Sequence, residues 1–451
     1  MVKVLGIDVS KGDICCHLLT EYPEPNPRTY WSRTSRKSTE NFPRFYLKPP
    51  KTKGSKKKWV LDFYDYLRVH QPDYAVMEPT GTHYSKLWAI ILGKYGVKVL
   101  WVSHAALSFH RSACKFSSET KSDPIDALAL ASYFFDKDNT LEDGSIDRRS
   151  YLIEQPEKVL RLRQLCLWHD HLDKITTSMT NYIRQRLSWQ FPECAKGKGK
   201  AFIPFLANSP EFAPSKGYVE YKNKYARSVV HELGLGIDEM LTKEARWNLE
   251  IELYDQQIVA EIEEHLKDPI YERYTKILDK FQFSAKEQGK LISKIYPFEA
   301  FLSPGNKLWK ERKLIEVKFN QYRMVDGKRE LVYAAGDRKR TCKNKTRDKL
   351  KMRLGMGKKV EESGDSQKRK RRGAKMTRNT LYMYVYRCIS KKEGGDYGYL
   401  KELREYSRKL ESMTNADGGS QLRTEHRYYK IMARISHLLY REFADEFVVK
   451  E

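Results

Sequence analysis

Four acidic residues stand where an α/β chain concentrates its chemistry. Val2-Lys-Val-Leu-Gly-Ile-Asp8 is a short apolar strand ending in a carboxylate, and Asp73-Tyr-Ala-Val-Met-Glu78 is another. Asp123 and Asp126 open a run of good helix formers through Phe135, with Asp123 expected at the N-cap and Pro124 at the first helical position. Residues three apart share a helix face, so both carboxylates can point the same way. In a parallel-type sheet such ends converge on one edge. Four carboxylates there repel one another unless cations lie between them. Two Mg²⁺ ions would meet that need, and they suit phosphodiester chemistry by activating an attacking oxygen and stabilising a leaving one. Each position also has a plainer explanation: an Asp after a strand caps a turn, and an Asp at a helix start compensates the dipole.

The elements that must position these residues follow in order. Ser10-Lys-Gly-Asp13 is a turn, Ile14–Leu19 a second strand and Tyr30–Arg33 a third. A meander whose first strand carries an Asp is compatible with the opening of an RNase H-like fold, and equally with an Asp that caps the turn after any buried strand. Lys48–Lys58 is a basic loop, either a solvated linker or a phosphate-contacting arm. Helices are expected over Trp59–His70 and from Pro79 through Ile91, with a strand at Val97–Val102 and a mobile connection at His104–Lys121. Residues 136–150 are acidic and loop-like. A long helix over Glu157–Gln190 carries Leu165, Trp168, Leu172, Ile175, Met179 and Tyr182 in a heptad seam. A returning helix over Leu241–Lys267 carries Trp247, Ile251, Tyr254, Ile258 and Ile262. The pair reads as an antiparallel arm, either packed as a bundle or dimerising as a coiled coil.

A formal charge of +25 on 451 residues calls for a polyanionic partner: DNA, RNA or an anionic membrane surface. A membrane span is excluded, because no apolar run approaches ~18 residues. With 40% hydrophobic residues a sizeable core is affordable and wholesale disorder is not expected. The seven cysteines form no CxxC pair or zinc spacing, which points to reduced thiols. Met1-Val-Lys3 leads straight into a strand, so no signal peptide is expected and a cytoplasmic location is.

The C-terminal half is mostly short helices from Tyr274, with a hairpin expected at Val317–Ala335 around Asp326-Gly327 and a last helix at Tyr428–Phe443. Positive charge is densest from Arg338 to Arg378. Lys368, Arg369, Lys370, Arg371, Arg372 and Lys375 are candidate phosphate contacts, with Tyr382, Tyr384 and Tyr386 just after them as stacking surfaces. A solvated loop or a nuclear localisation signal has the same composition. Ser363 and Ser366 lie in this run. A serine hydroxyl attacks only when a base or metal takes its proton, and nearby cations stabilise what forms.

Three blocks carry a resemblance: Gly6-Ile-Asp8-Val-Ser-Lys11, Glu78-Pro-Thr-Gly-Thr-His83 and Lys121-Ser-Asp-Pro-Ile-Asp-Ala127. They resemble the signature blocks of the DEDD transposases. These are the RuvC-like recombinases of the insertion-sequence family numbered one hundred and ten, related to the Piv and MooV invertases. By resemblance, Asp8, Glu78, Asp123 and Asp126 are the metal-binding tetrad for two Mg²⁺ ions. The family carries a nucleophilic Ser-Gly ahead of a basic stretch and a helix, where this chain has Glu362-Ser363-Gly364. Lys375 and Leu381 match that block, whereas Thr377 and Tyr382 replace its Gly and Arg. Ser366 competes with Ser363 for the role. Leu278–Ser284 lacks the Pro-Gly-Ile-Gly turn of the family.

The resemblance implies an α/β RNase H-like (RuvC) catalytic domain over 1–150. A helical coiled-coil arm would span 151–270, with an insertion at 195–240, and a mostly α C-terminal transposase domain 271–451. It implies a mobile-element DNA recombinase that cleaves and rejoins DNA through a phosphoserine, guided by a structured non-coding bridge RNA. It also implies a homo-oligomer, dimer or tetramer, acting on the nucleoid of a prokaryotic cytoplasm. The alternatives are a RuvC-like Mg-dependent nuclease or junction resolvase that uses water, an actin/hexokinase-type ATP-binding domain, and a non-catalytic nucleic-acid-binding protein.

Overall fold

In the computed structural model the chain forms two compact units, Met1–Glu154 and Gln155–Glu451. The structure describes residues 2–34, 38–49, 58–79, 81–116, 122–140, 145–147, 150–153, 155–195, 201–213, 215–316, 320–325, 328–334, 336–363, 366–412 and 423–449. The side chains of residues 81–83 and 358–371, among others, lie outside the described set.

The first unit is a mixed α/β sheet domain. Strands β1 (Val4–Val9) and β2 (Asp13–Leu19) pair antiparallel, with Asp8 opposite Cys15. Tyr30–Arg33 is not a strand but part of helix α1 (Pro27–Thr34). Pro27 opens it and Asn26 Oδ1 accepts from the Thr29 N–H at 2.9 Å, a start signal stronger than the β preference of Tyr30 and Trp31. After α2 (Ser38–Asn41), the third strand is β3 (Arg44–Tyr46), antiparallel to β2, and β4 (Lys58–Trp59) joins it in parallel. Then come α3 (Val60–His70), β5 (Tyr74–Met77), α4 (Gly81–Lys94), β6 (Lys98–Trp101), α5 (His104–Ala113) and α6 (Asp123–Phe135). The start of the expected mobile connection is thus helical, because Ser103 Oγ caps α5 by accepting from the Ala106 N–H at 3.2 Å. The sheet order is β4-β3-β2-β1-β5-β6, with β1, β5 and β6 parallel.

Helices cover both faces of this sheet. Leu5, Ile7 and Val9 of β1 and Ala75 and Met77 of β5 pack with Phe63, Leu67, Trp88 and Leu92 of α3 and α4. The alternate residues Val4 and Val76 pack with Leu107 of α5 and with Leu130 and Phe134 of α6. Gly6 lies on that second face. A Cβ there would fall 2.0 Å from the Ala127 carbonyl oxygen and 2.5 Å from the Ala131 nitrogen, so only glycine lets α6 lie directly on β1.

The second unit is mostly helical. It opens with α7 (Glu157–Gln190), α8 (Pro192–Ala195), α9 (Ile203–Leu206), α10 (Lys216–Tyr225) and α11 (Glu239–Leu266). α7 and α11 run antiparallel, clipped by Arg161–Glu261 at 2.7 Å, His169–Asp255 at 2.7 Å and Arg186–Glu244 at 3.2 Å. Their seam is the expected one in part: Leu165, Leu172, Ile258 and Ile262 are buried, whereas Trp168, Tyr182, Trp247 and Tyr254 are exposed. The buried row of α7 is Leu162, Leu165, Cys166, His169, Leu172, Thr176, Thr180, Ile183 and Leu187. Its middle is polar, with Asn248 Nδ2 donating to Thr180 Oγ1 at 3.0 Å, so a search for apolar periodicity slides onto the outer aromatics. Trp168, Ile175, Tyr182 and Trp189 stand at strict heptad spacing, as do Met240, Trp247 and Tyr254. Residues between the two long helices build a small separate core at their far end, where Phe191, Phe202, Ile203 and Leu206 meet Ile183, Leu187, Leu241 and Ala245.

The rest of this unit is α12 (Glu272–Asp279), α13 (Ala285–Ile295), β7 (Lys310–Glu316), β8 (Gln321–Val325), β9 (Lys328–Tyr333), β10 (Arg338–Asn344) and α14 (Lys345–Arg353). There follow β11 (Gly357–Ser363), β12 (Ser366–Arg372), α15 (Lys375–Tyr384), α16 (Gly398–Glu411) and α17 (Thr424–Phe447). Three two-stranded antiparallel pairs form: β7 with β10, β8 with β9 and β11 with β12. The expected hairpin corresponds to β8–β9; Asp326 and Gly327 lie outside the described residues. The helices share one core with the near ends of α7 and α11.

Candidate functional site

The sheet register brings the sequence-selected carboxylates of the first unit to one region. Ile7 pairs with Met77, so Asp8 and Glu78 follow side by side on neighbouring parallel strands. Ile7 and Met77 face α3 and α4. Alternation therefore turns Asp8 and Glu78 to the opposite face, where α6 lies. Along that face Val4 packs with Leu130 and Phe134, and Gly6 abuts Ala127 and Ala131. Strand and helix thus run in opposite senses, and Asp8 comes next to the first turn of α6, which carries Asp123 and Asp126. Asp8 and Asp123 both act on the Cys15 thiol: burial pushes it up to about 12, Arg44 opposes this, and Asp123 and Asp8 add to it.

Glu78, Asp123 and Asp126 each have a basic side chain against them. Asp123 is the first residue of α6 rather than its cap, which is Ser122, because Asp126 N–H already bonds the Ser122 carbonyl. Asp123 Oδ2 accepts from Arg44 Nη2 at 2.5 Å, and Arg44 Nη1 reaches Asp13 at 3.2 Å. Glu78 Oε1 lies 2.7 Å from His104 Nδ1. Asp126 is buried and lies 3.0 Å from Arg111 Nε, itself largely buried. Sequence reasoning selected none of these three partners. Arg44 belongs to a strand it did not find, and His104 and Arg111 to a helix it took for a connection.

Among the described residues no three His, Cys, Asp or Glu side chains are gathered closely enough to hold one ion. The donor set is nonetheless of hard carboxylate oxygens, the kind that Mg²⁺ takes, and it stands on one face of one sheet edge.

A second constellation in the same unit has catalytic spacing without access. His110 Nδ1 lies 3.1 Å from Asp136 Oδ2, and its Nε2 lies 3.1 Å from Ser132 Oγ. Ser132 and His110 are 0% and 3% exposed, so no substrate reaches the hydroxyl. Ser132 Oγ donates to the Ala129 carbonyl at 3.1 Å. This string holds α5 against α6.

In the second unit Ser363 is the last residue of β11 and pairs with Ser366, the first of β12. Gly364 and Asp365 lie outside the described residues, as do the side chains of Ser363, Ser366, Lys368, Arg369, Lys370 and Arg371. Arg372 and Lys375 are exposed at the foot of the hairpin. Gly373 and Gly355 close that foot against α14 and α15: a Cβ on Gly373 would fall 2.3 Å from the Met352 carbonyl oxygen. Thr377 is buried, with Oγ1 donating to the Arg353 carbonyl at 2.7 Å. Tyr384 is not a stacking surface. It is fully buried, and its hydroxyl donates to the Phe281 carbonyl at 2.6 Å. Tyr382 and Tyr386 are exposed.

No protein-family model matches this chain, and no curated protein matches it. The chemical reading therefore rests on the chain itself. The first unit has acid groups at the ends of parallel strands, and the second has a hairpin in whose backbone register Ser363 pairs with Ser366. No helix among the described residues is long and apolar enough to cross a membrane.

Proposed function

We propose that the chain is a DNA recombinase of mobile-element type, with an RNase H-like (RuvC) catalytic fold in residues 1–150. The observation that carries this reading is the placement of Asp8 beside Glu78, on the sheet face covered by α6 and its Asp123 and Asp126. The antiparallel meander whose first strand bears Asp8 supports the fold. Asp8, Glu78, Asp123 and Asp126 would hold Mg²⁺, which when bound neutralises phosphate charge and makes an attacking oxygen more acidic. Arg44 ties the first turn of α6 to β2 and so fixes where Asp123 stands.

Ser363 is the proposed nucleophile, with Ser366 next in line. Its Oγ forms a bond to phosphorus, a strand-end hydroxyl leaves with a proton, and the phosphoserine ester keeps the bond energy for rejoining. Lys368, Arg369, Lys370, Arg371, Arg372 and Lys375 would bind the flanking phosphates. The +25 charge supports a protein that holds both DNA and a structured guide RNA. The exposed heptad rows of Trp168, Tyr182 and Trp189 and of Met240, Trp247 and Tyr254 support a homo-oligomer.

The test is purification with the native flanking DNA, sequencing of the co-purifying nucleic acid, and incubation with Mg²⁺. The expected result is a discrete RNA and a covalent protein–DNA adduct, with the adduct absent in Ser363→Ala and cleavage absent in Asp8→Asn. A second reading, a water-using nuclease, is favoured by the presence of all four carboxylates in one unit. Cleavage without an adduct, unaffected in Ser363→Ala, would decide for it.

A further inference from the structure

Among the described residues of the second unit, three cations have no acid paired with them. Arg163 of α7, Lys294 of α13 and Arg353 of α14 come from three helices and lie within electrostatic reach of one another. Lys290, one turn before Lys294, is paired with Asp170 of α7 at 2.5 Å. Lys345, two turns before Arg353, is paired with Glu311 at 2.8 Å. Among the described residues Arg163, Lys294 and Arg353 have no such partner, and Arg163 Nε is buried without a hydrogen bond. Lys349 lies between Lys345 and Arg353 on the same face of α14, over the Trp309 ring at 3.9 Å.

Leaving these charges together costs the free protein stability. Burial and then Arg163 and Arg353 pull Lys294 down to about 8. Like charges at i, i+4 along α14 add a further penalty. An anion bound among them would offset this cost. Residues four apart on a helix are separated by about 6 Å along its axis, close to the distance between successive phosphates on one strand.

We infer that Arg163, Lys294, Arg353 and Lys349 form a binding site for the phosphodiester backbone of a nucleic acid. The inference rests on the reading of the chain as a nucleic-acid-binding protein and adds to it a site outside the basic hairpin.

The test is fluorescence anisotropy of the full chain with labelled single-stranded RNA, single-stranded DNA and duplex DNA of one mixed sequence. Titrations run between about 50 and 200 mM salt. Arg163→Gln, Lys294→Met and Arg353→Gln are each expected to weaken binding by roughly threefold or more and to lower the salt slope by about one. Arg347→Gln, on the other face of α14, leaves both unchanged. Lys294→Met is also expected to raise Tm, which a merely structural lysine would not do. Unchanged affinity and slope in the three variants, a fall in Tm for Lys294→Met, or no binding of any probe by the wild type overturns the inference. A greater loss on RNA assigns the site to the guide, and a greater loss on DNA to the substrate. Binding is read without cleavage, so a chain that binds through these residues but forms no adduct keeps this site and loses the recombinase.

Discussion

The acidic corner of the first unit and the cation cluster of the second treat charge in opposite ways. At the corner, Asp123 meets Arg44, Glu78 meets His104 and Asp126 meets Arg111. In the cluster, Arg163, Lys294 and Arg353 face one another. These carboxylates of the corner each have a base beside them within their own unit. The cluster stores repulsion that an anion would release. Paired charge characterises the corner, and charge without an acid among the described residues characterises the cluster, which is why an anion is inferred there and not at the corner.

The largest expected effect would break the corner's proposed chemistry. Asp8→Asn should take DNA cleavage to background with Tm little changed, read on a denaturing gel and by thermal melting. Retained cleavage would remove the carboxylates from the reaction. Next is the support of the corner. Arg111→Met takes a buried partner from Asp126 and should cost about 3–5 kcal/mol, measured by urea unfolding.

A comparable effect should appear with pH. His17 is buried against Phe42, and its Nδ1 lies 2.8 Å from the Asn41 carbonyl oxygen. Burial lowers it from 6.5 to about 4 despite that backbone contact. Between these values the folded chain keeps His17 neutral while the unfolded chain takes up a proton. Stability should therefore fall as pH drops from 6.5 to 4, by on the order of 3 kcal/mol, and should be unaffected by His17 above that window. A His17→Phe protein that keeps the full slope would place the titration elsewhere.

Smaller again is Gly6→Ala, whose methyl meets the backbone of α6. A loss of about 1–3 kcal/mol is expected, with cleavage reduced further because Asp8 and α6 move apart. Least in stability is Trp247→Glu on the outer face of α11. It should leave Tm within about 0.5 kcal/mol of wild type while shifting sedimentation towards monomer. An unchanged sedimentation profile would free that face for another role.

What the sequence made legible was local. The ends of α7 and α11 follow from Phe191-Pro192 and Pro269, and β1 and β5 follow from short apolar runs closed by Asp8 and Glu78. β3 and β4 were illegible, since strands of three and two residues have no alternation to read. The α7–α11 seam was legible at Leu165, Leu172, Ile258 and Ile262 and missed at its centre, which is Thr176, Thr180 and Asn248 rather than apolar residues. The carboxylates could be picked out by type and position. Arg44, His104 and Arg111 could not, because their meaning depends on contacts between elements far apart in the chain.

That polar centre has a mechanical consequence. Greasy clamps grip the long helical pair at both ends, near Leu172 and Ile258 and again near Ile183 and Leu249. Between Leu172 and Ile183 roughly 16 Å of helix has Thr176, Thr180 and Asn248 at its buried centre, with Asn248 hydrogen-bonded to Thr180. Such bonds exchange readily for water at small displacement, whereas the clamps resist shear. A load applied at the far tip is expected to bend the pair at this span before either clamp yields.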